Sequence, residues 1–362
     1  MWERFGHNAI WVHDPAAGTD LAYNWGMFSF TQEGYLGRLL RGTMMYWMAP
    51  YPIEQMISAY VANDRTIVVQ ELALTDDQKR DLQSALATNA LPENMYYRYD
   101  YYRDNCSTRV RDALDRVVGG RVRAALAGVP TGTSYRFHTR RLLQGMPSMY
   151  TGIQVVLAGK ADAEIDRWSE AFLPVKLMAA LRGVRVPGPD GSEIPLVLAE
   201  REVYHSTSLT EADAVNSHVL WYLVPGLVFA LLLMLLSTWR VPTALLIGGW
   251  SAIAGLVGVV LVGAWLFTDH VFWYPNANLL QMSPLSLALA ALAVPLLVRR
   301  DADRAGGWIF KLATIVAALS VLGCVLKVLP VFAQQNGEIL AFTVPANLAV
   351  LGALLRLRRR AA

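Results

Sequence analysis

Hydrophobic residues change their spacing along the chain at about residue 215. Before that position, short segments alternate between apolar and polar residues and are separated by carboxylates and proline-containing turns. After it, long apolar runs are separated by short charged stretches. An apolar run of about 20 residues is long enough to cross a bilayer as a helix. The pattern therefore predicts a soluble domain at residues 1–215 and an all-α transmembrane domain at residues 216–362.

Apolar runs in the second half predict about five transmembrane helices, at 218–237, 242–267, 283–298, 308–331 and 338–355. The loops on one side of these helices carry Arg240, Arg299, Arg300, Arg304, Arg356, Arg358, Arg359 and Arg360. The opposite loops, 268–282 and 333–338, contain neither lysine nor arginine. Because basic loops stay in the cytoplasm, the soluble domain is expected outside, in the periplasm of a bacterial cell whose inner membrane holds the helices.

The charge and the cysteines limit which binding partners and which covalent bonds the sequence predicts. The formal net charge is +3, but the arginines after residue 215 cluster at the ends of the predicted membrane helices, so no nucleic-acid partner is expected. The two cysteines, Cys106 and Cys324, fall in different halves of the chain, which argues against a disulfide between them. A single thiol in a domain that faces an oxidising compartment is either a buried structural residue or a working nucleophile.

The N-terminal residues predict a β-hairpin. Apolar and polar residues alternate after His7, a turn follows at 14–18, and a second strand is expected at 21–25. This places His7 at the start of the first strand and Asn24 on the returning strand. Since the turn folds the two strands together, the side chains of His7 and Asn24 can lie on one face, a few ångströms apart.

Cys106 lies where a helix is predicted to begin. Asn105 is a suitable N-cap, apolar residues follow at helical spacing through Val118, and Gly119 ends the helix. A helix N-terminus favours the ionised thiol, and its unpaired N–H groups can stabilise an oxyanion. With a histidine upstream to serve as general base, Cys106 is a candidate nucleophile. The alternative is that it is a small buried residue of the core.

Two other histidines compete with His7 for the role of base. His13 alternates onto the same face of the hairpin, so spacing alone does not exclude it. His138 is flanked by Arg136, Arg140 and Arg141, which predicts a basic surface strip instead. No metal site and no cofactor are expected.

The loop between the second and third predicted membrane helices is rich in polar side chains, including Asp269, His270, Asn276 and Asn278. One interpretation is that these side chains form hydrogen bonds with backbone N–H and C=O groups at the membrane boundary. The other is that His270, Asn276 and Asn278 form a polar floor that binds a substrate headgroup.

Several motifs together resemble a known family. They are Trp2-Glu-Arg-Phe-Gly-His-Asn-Ala-Ile10, Tyr23-Asn-Trp-Gly26, Arg103-Asp-Asn-Cys-Ser-Thr-Arg-Val-Arg-Asp112, Trp168-Ser-Glu-Ala-Phe-Leu-Pro174, Asp269-His270, Asn276-Ala-Asn-Leu-Leu280 and Pro284. This set is similar to the Lnb-type lipoprotein N-acyltransferase family. The order of histidine before cysteine also resembles the permuted papain-like fold of the NlpC and lecithin:retinol acyltransferase group. The resemblance implies an α+β permuted papain-like domain followed by the transmembrane bundle.

The resemblance also implies a reaction. Cys106 would attack a phospholipid acyl donor, His7 would activate the thiol, and Asn24 would orient His7. The acyl chain would pass through a thioester to the N-terminal amine of a diacylglyceryl lipoprotein acceptor. The competing hypotheses are a periplasmic cysteine peptidase or amidase that acts on peptidoglycan peptides, and a non-catalytic scaffold. Because a domain of this size must be exported, we expect the natural chain to start upstream of Met1 with a signal segment.

Overall fold

A computed structural model of the chain describes residues 2–207, 212–298 and 303–361. The chain forms two compact units. The N-terminal unit consists of Met1–Leu143 and Glu164–Asp213, and the membrane unit consists of Gln144–Ala163 and Ala214–Ala362. The change of unit at Asp213 is close to the boundary expected at 215. The segment Gln144–Ala163 differs from the prediction, because it packs with the membrane helices and not with the N-terminal domain.

The strands lie in the N-terminal unit. In chain order they are β1 (Ala9–Asp14), β2 (Thr19–Met27), β3 (Met45–Pro52), β4 (Ile67–Leu72), β5 (Tyr96–Arg98), β6 (Pro130–Ser134), β7 (Glu164–Asp166), β8 (Arg185–Pro187), β9 (Glu193–Pro195) and β10 (Val197–Tyr204). In the described part, β1, β2, β3 and β5 form an antiparallel sheet in that order, and β4 pairs with β10. The predicted hairpin is confirmed, with Ala9 opposite Asn24.

The first nine helices surround this sheet or join the membrane unit. They are α1 (Tyr35–Arg41), α2 (Ile53–Ala62), α3 (Asp76–Asn89), α4 (Cys106–Val117), α5 (Arg121–Leu126), α6 (Tyr135–Leu143), α7 (Pro147–Val156), α8 (Arg167–Glu170) and α9 (Pro174–Leu181). Of these, α7 belongs to the membrane unit. Helix α4 packs on the sheet through Val110 and Leu114, which share one buried core with Ile10 and Trp25. This core fixes the start of α4 against the β1–β2 hairpin.

The membrane unit contains the long apolar helices α10 (Val219–Leu236), α11 (Arg240–Phe267), α12 (Leu285–Val298), α13 (Asp303–Val325) and α14 (Gly337–Ala361). Five segments of the described chain are long and apolar enough to cross a membrane, which confirms the predicted spans. The third of them runs over Ala277–Leu297, because a short 3₁₀ turn precedes α12. Arg299 and Arg300 of the expected cytoplasmic cluster lie outside the described residues.

A buried carboxylate explains why α7 packs with the membrane helices. Glu338, in the first turn of α14, is 4% exposed. The Tyr150 hydroxyl donates to both carboxylate oxygens at 2.9 Å, and Gln154 donates from its amide at 3.2 Å. A buried carboxyl group requires hydrogen-bond partners, and α7 supplies them.

Candidate active site

The Asn105 side chain fixes the start of α4, and both its oxygen and its amide nitrogen form hydrogen bonds. The Asn105 side-chain oxygen accepts from the backbone N–H groups of Ser107 (2.9 Å) and Thr108 (3.0 Å). The Asn105 amide nitrogen donates to the backbone oxygens of Tyr101 (3.1 Å) and Phe172 (3.0 Å). Asn105 is therefore the N-cap, and Cys106 is the first residue of the helix, as predicted.

Replacing Asn105 by alanine is expected to lower the stability of the N-terminal unit by about 2 to 4 kcal/mol, since the helix cap is lost and buried groups lose their partners. The matched control is Thr75→Ala, which removes the exposed cap of α3 and is expected to cost about 1 kcal/mol. Thermal unfolding of the full chain in detergent measures both variants. Equal shifts in the two midpoints would contradict this account of Asn105.

His7 and Asn24 are in direct contact. The His7 ring atom Nε2 lies 2.9 Å from the Asn24 side-chain oxygen. The Asn24 amide nitrogen donates to the Ala22 backbone oxygen at 2.9 Å, which fixes the orientation of the amide. His7 must therefore carry its proton on Nε2 and donate it to Asn24, and its other ring nitrogen remains for the thiol of Cys106. His7 lies two residues before β1, not at its first residue as predicted.

Cys106 and His7 form a hydrogen-bonded pair that favours charge separation. Burial opposes the charged form of both groups. For the thiol, the cost of burial is outweighed by the attraction to His7, the hydrogen bond with His7 and the backbone N–H groups of Asn8 and Ser107. The pKa of Cys106 is therefore lowered. Burial likewise works to lower the pKa of His7, but attraction to Cys106 and hydrogen bonds to Cys106 and Asn24 raise it. The arrangement supports a thiolate–imidazolium pair, the reactive form of a cysteine nucleophile.

Family models match both halves of the chain. The model for the Lnb N-terminal periplasmic domain matches residues 1–144, and the model for the Lnb transmembrane domain matches residues 216–335. The chain belongs to the Lnb-type family. No curated protein and no solved structure matches it.

Family membership confirms the resemblance seen in the motifs and the coarse topology. This Lnb-type protein is a multi-pass membrane protein with a periplasmic N-terminal domain. Its N-terminal domain combines strands and helices, and five apolar helices follow. The permuted papain-like arrangement of that domain stays a prediction.

Three residues next to the Cys106–His7 pair escaped the sequence interpretation. The Asn8 amide donates to the Ser107 hydroxyl at 3.0 Å and so ties the His7 segment to α4. Gly26 has a φ of 94°, at a bulge in β2, and a Cβ at its position would lie 3.5 Å from the Cys106 Cβ. Asn8 and Gly26 lie in the Phe-Gly-His-Asn and Asn-Trp-Gly motifs, so their position beside His7 and Asn24 was the available signal.

Tyr97 is the third of these residues. Its hydroxyl is buried and has no hydrogen-bond partner among the described residues. Burial, followed by the charge of Cys106, raises the pKa of Tyr97 above its usual range, so the hydroxyl keeps its proton. Tyr97 shares a core with Cys106 and therefore brings an unused hydrogen-bond donor to the same region. The aromatic stretch around Tyr97 gave no signal of this, because the tyrosines within it look alike in sequence.

The competing histidines lie elsewhere in the Lnb-type N-terminal unit. His13 has a side chain that is 65% exposed and lies 3.5 Å from Asp20. His138 is fully buried, and its Nε2 lies 3.0 Å from the Glu170 carboxylate. The predicted basic surface strip is wrong, because Arg136 is also fully buried in α6. His7 is thus the histidine that contacts Cys106.

The polar residues of the loop after α11 lie in the membrane unit. The Asn276 amide donates to the backbone oxygens of Val155 and Val156, and the Asn278 amide donates to those of Gln154 and Val155. These contacts satisfy the carbonyls at the end of α7 and correspond to the first of the two interpretations of the loop. His270 stacks on Trp273 with a centroid distance of 4.2 Å. Binding of a substrate headgroup by His270, Asn276 and Asn278 stays a prediction.

Proposed function

We propose that this Lnb-type protein is a thiol acyltransferase of the bacterial inner membrane. It moves a fatty acyl chain from a phospholipid to the N-terminal amine of a diacylglyceryl lipoprotein. The observation that carries the proposal is the hydrogen-bonded series Cys106, His7 and Asn24 at the start of α4. Family membership supports an enzyme in the periplasm, and the membrane helices keep that enzyme at the bilayer that holds both lipids.

In the first half-reaction the Cys106 thiolate attacks an ester carbonyl carbon of the phospholipid. The carbon–sulfur bond forms, and the tetrahedral oxyanion collapses with cleavage of the carbon–oxygen ester bond. The His7 imidazolium gives its proton to the departing lysophospholipid oxygen. The N–H at the first position of α4 has no partner within the helix and, with the Tyr97 hydroxyl, is a donor suited to the oxyanion.

In the second half-reaction the lipoprotein amine attacks the thioester. His7, now neutral, takes a proton from the attacking nitrogen while the carbon–nitrogen bond forms and the carbon–sulfur bond breaks. The products are the N-acylated lipoprotein and the original thiolate–imidazolium pair. Asn24 keeps the imidazole in one orientation through both steps, as the third member of a catalytic triad does.

The test is intact-mass analysis of the full-length protein after incubation with phosphatidylethanolamine. We expect a fatty-acyl mass increase that neutral hydroxylamine removes, present in the unaltered chain and in Cys324→Ser but absent from Cys106→Ala. Adding a diacylglyceryl-cysteine peptide with a free amine should discharge the adduct, whereas the N-acetylated peptide should not. Cleavage of a muropeptide without any acyl adduct would refute the proposal in favour of a cysteine hydrolase.

A further inference from the structure

Arg65 is a cation without a counter-ion in the described part of the chain. Its guanidinium lies 4.2 Å from the centroid of the Tyr60 ring, and no described carboxylate or carbonyl oxygen binds it. Its neighbour Asp64 instead accepts from the Tyr204 hydroxyl at 2.8 Å and from the Thr207 N–H at 3.0 Å. The sequence therefore places a carboxylate beside Arg65, and the fold directs that carboxylate to other groups.

Arginines around the start of α4 behave differently. Arg103 binds Asp100 at 2.9 Å, and Arg109 binds the Asp104 carboxylate through two nitrogens. Such pairing is the common way for a protein to hold an arginine close to other polar groups. Among the described residues no acceptor binds the five N–H donors of the Arg65 guanidinium, although stacking on Tyr60 restricts its position.

Tyr60 also connects Arg65 to the candidate active site. The Tyr60 and His7 ring centroids are 6.4 Å apart. The positive charge of Arg65 opposes protonation of His7 and so works to lower the pKa of His7. In the resting protein, a cation at this place acts against the thiolate–imidazolium pair. A bound anion at Arg65 would remove that opposition.

We propose that Arg65, held on the Tyr60 ring, binds the phosphodiester group of the phospholipid acyl donor beside the Cys106–His7 pair. This inference rests on the proposed acyl transfer. A guanidinium matches two phosphate oxygens in geometry and charge. In a glycerophospholipid the phosphate is a few covalent bonds from the ester carbonyls, so holding the phosphate limits where the reacting carbonyl can lie.

The two half-reactions differ in whether the lipid substrate carries a phosphate. The donor carries a phosphate, whereas the diacylglyceryl-cysteine acceptor does not. Arg65 therefore contributes to formation of the acyl-enzyme and not to its discharge by the acceptor amine. A residue that acts only by stabilising the fold or by tuning His7 would affect both half-reactions, since His7 transfers a proton in each.

The test compares Arg65→Gln with a matched control, Arg201→Gln, which removes an arginine that lies 5.9 Å from the Trp11 ring in the same unit. Acylation of Cys106 is followed by intact mass with phosphatidylethanolamine and with a p-nitrophenyl fatty ester that has no phosphate. In Arg65→Gln we expect acylation by the phospholipid to slow by about 10- to 100-fold, because a charge-assisted hydrogen bond to the phosphate is lost. Acylation by the ester and discharge by the peptide amine should be unchanged, and Arg201→Gln should change none of the rates.

Four results would overturn the inference. An equal loss with both donors would show that Arg65 acts through His7, and no loss with either would remove it from donor binding. A third result is that inorganic phosphate inhibits the ester reaction of the unaltered chain but not that of Arg65→Gln, while Arg65→Gln is still acylated by phospholipid at the normal rate. Arg65 would then bind a free anion and not the donor. If the unaltered chain takes its acyl group from the ester and never from a phospholipid, the proposed donor fails and Arg65 loses its ligand with it.

Discussion

Replacing His7 by alanine is expected to slow acyl-enzyme formation by about 10²- to 10⁴-fold. His7 supplies the attraction and the hydrogen bond that lower the pKa of the Cys106 thiol, and it delivers the proton to the leaving group. Without it, the partly buried thiol keeps its desolvation cost and loses its stabilising cation. The variant should therefore be defective in forming the nucleophile and in expelling the lysophospholipid. Acylation by phosphatidylethanolamine, followed by intact mass, measures the combined loss.

Alkylation by iodoacetamide isolates the effect on the nucleophile. Because the thiolate is the reactive species, a lowered thiol pKa keeps Cys106 reactive at a pH where an ordinary thiol is protonated. In a Cys324→Ser background, His7→Ala should shift the alkylation profile of Cys106 to higher pH, since burial alone raises the thiol pKa.

The control for His7 is His13→Ala, which removes an exposed imidazole on the same hairpin. It should leave both the acylation rate and the alkylation profile unchanged. The proposed role of His7 would be refuted if the two variants behaved alike, or if His7→Ala lost acylation while the alkylation profile of Cys106 stayed where it was.

Local sequence signals were sufficient for the elements that hold the nucleophile. An asparagine followed by helical spacing and a glycine predicted the start of α4 at Cys106, because a helix cap is made by neighbours in the chain. The turn after β1 likewise predicted that His7 and Asn24 would meet, and their side chains lie 2.9 Å apart. Both predictions depend on contacts across fewer than about twenty residues, where backbone geometry limits the alternatives.

Contacts between distant segments were beyond the same reasoning. The segment Gln144–Ala163 falls within the expected soluble domain, 1–215, yet it clusters with the membrane unit, where Tyr150 in α7 binds Glu338, 188 residues away in sequence. The arginine neighbours of His138 predict a surface strip, but His138 is buried and contacts Glu170 from another helix. The sequence gives no signal of a ligand site at Arg65, since its lack of a counter-ion among the described residues depends on where the Asp64 carboxylate points. Periodicity identifies a buried face and not the partner that covers it.

In the membrane unit, a large loss of stability is expected from a substitution at Gly258 in α11. A Cβ placed there would lie 2.3 Å from the Met282 backbone oxygen and 2.6 Å from the Pro284 nitrogen. The atoms in the way belong to backbone, so no side-chain rotation can relieve the overlap, and the segment before α12 must move away from α11. We expect Gly258→Ala to destabilise the unit by about 3 kcal/mol or more, the upper part of the range for overpacking.

Gly263→Ala is the matched control, because it makes the same substitution in the same helix, where a Cβ would meet nothing within 4 Å. Alanine is the better helix former by about 1 kcal/mol, so this control should be neutral or slightly stabilised. Thermal unfolding and size-exclusion chromatography in detergent measure both variants. Close approach of backbone at Gly258 is what small residues in membrane helices permit, and a Gly258→Ala protein as stable as Gly263→Ala would contradict that packing.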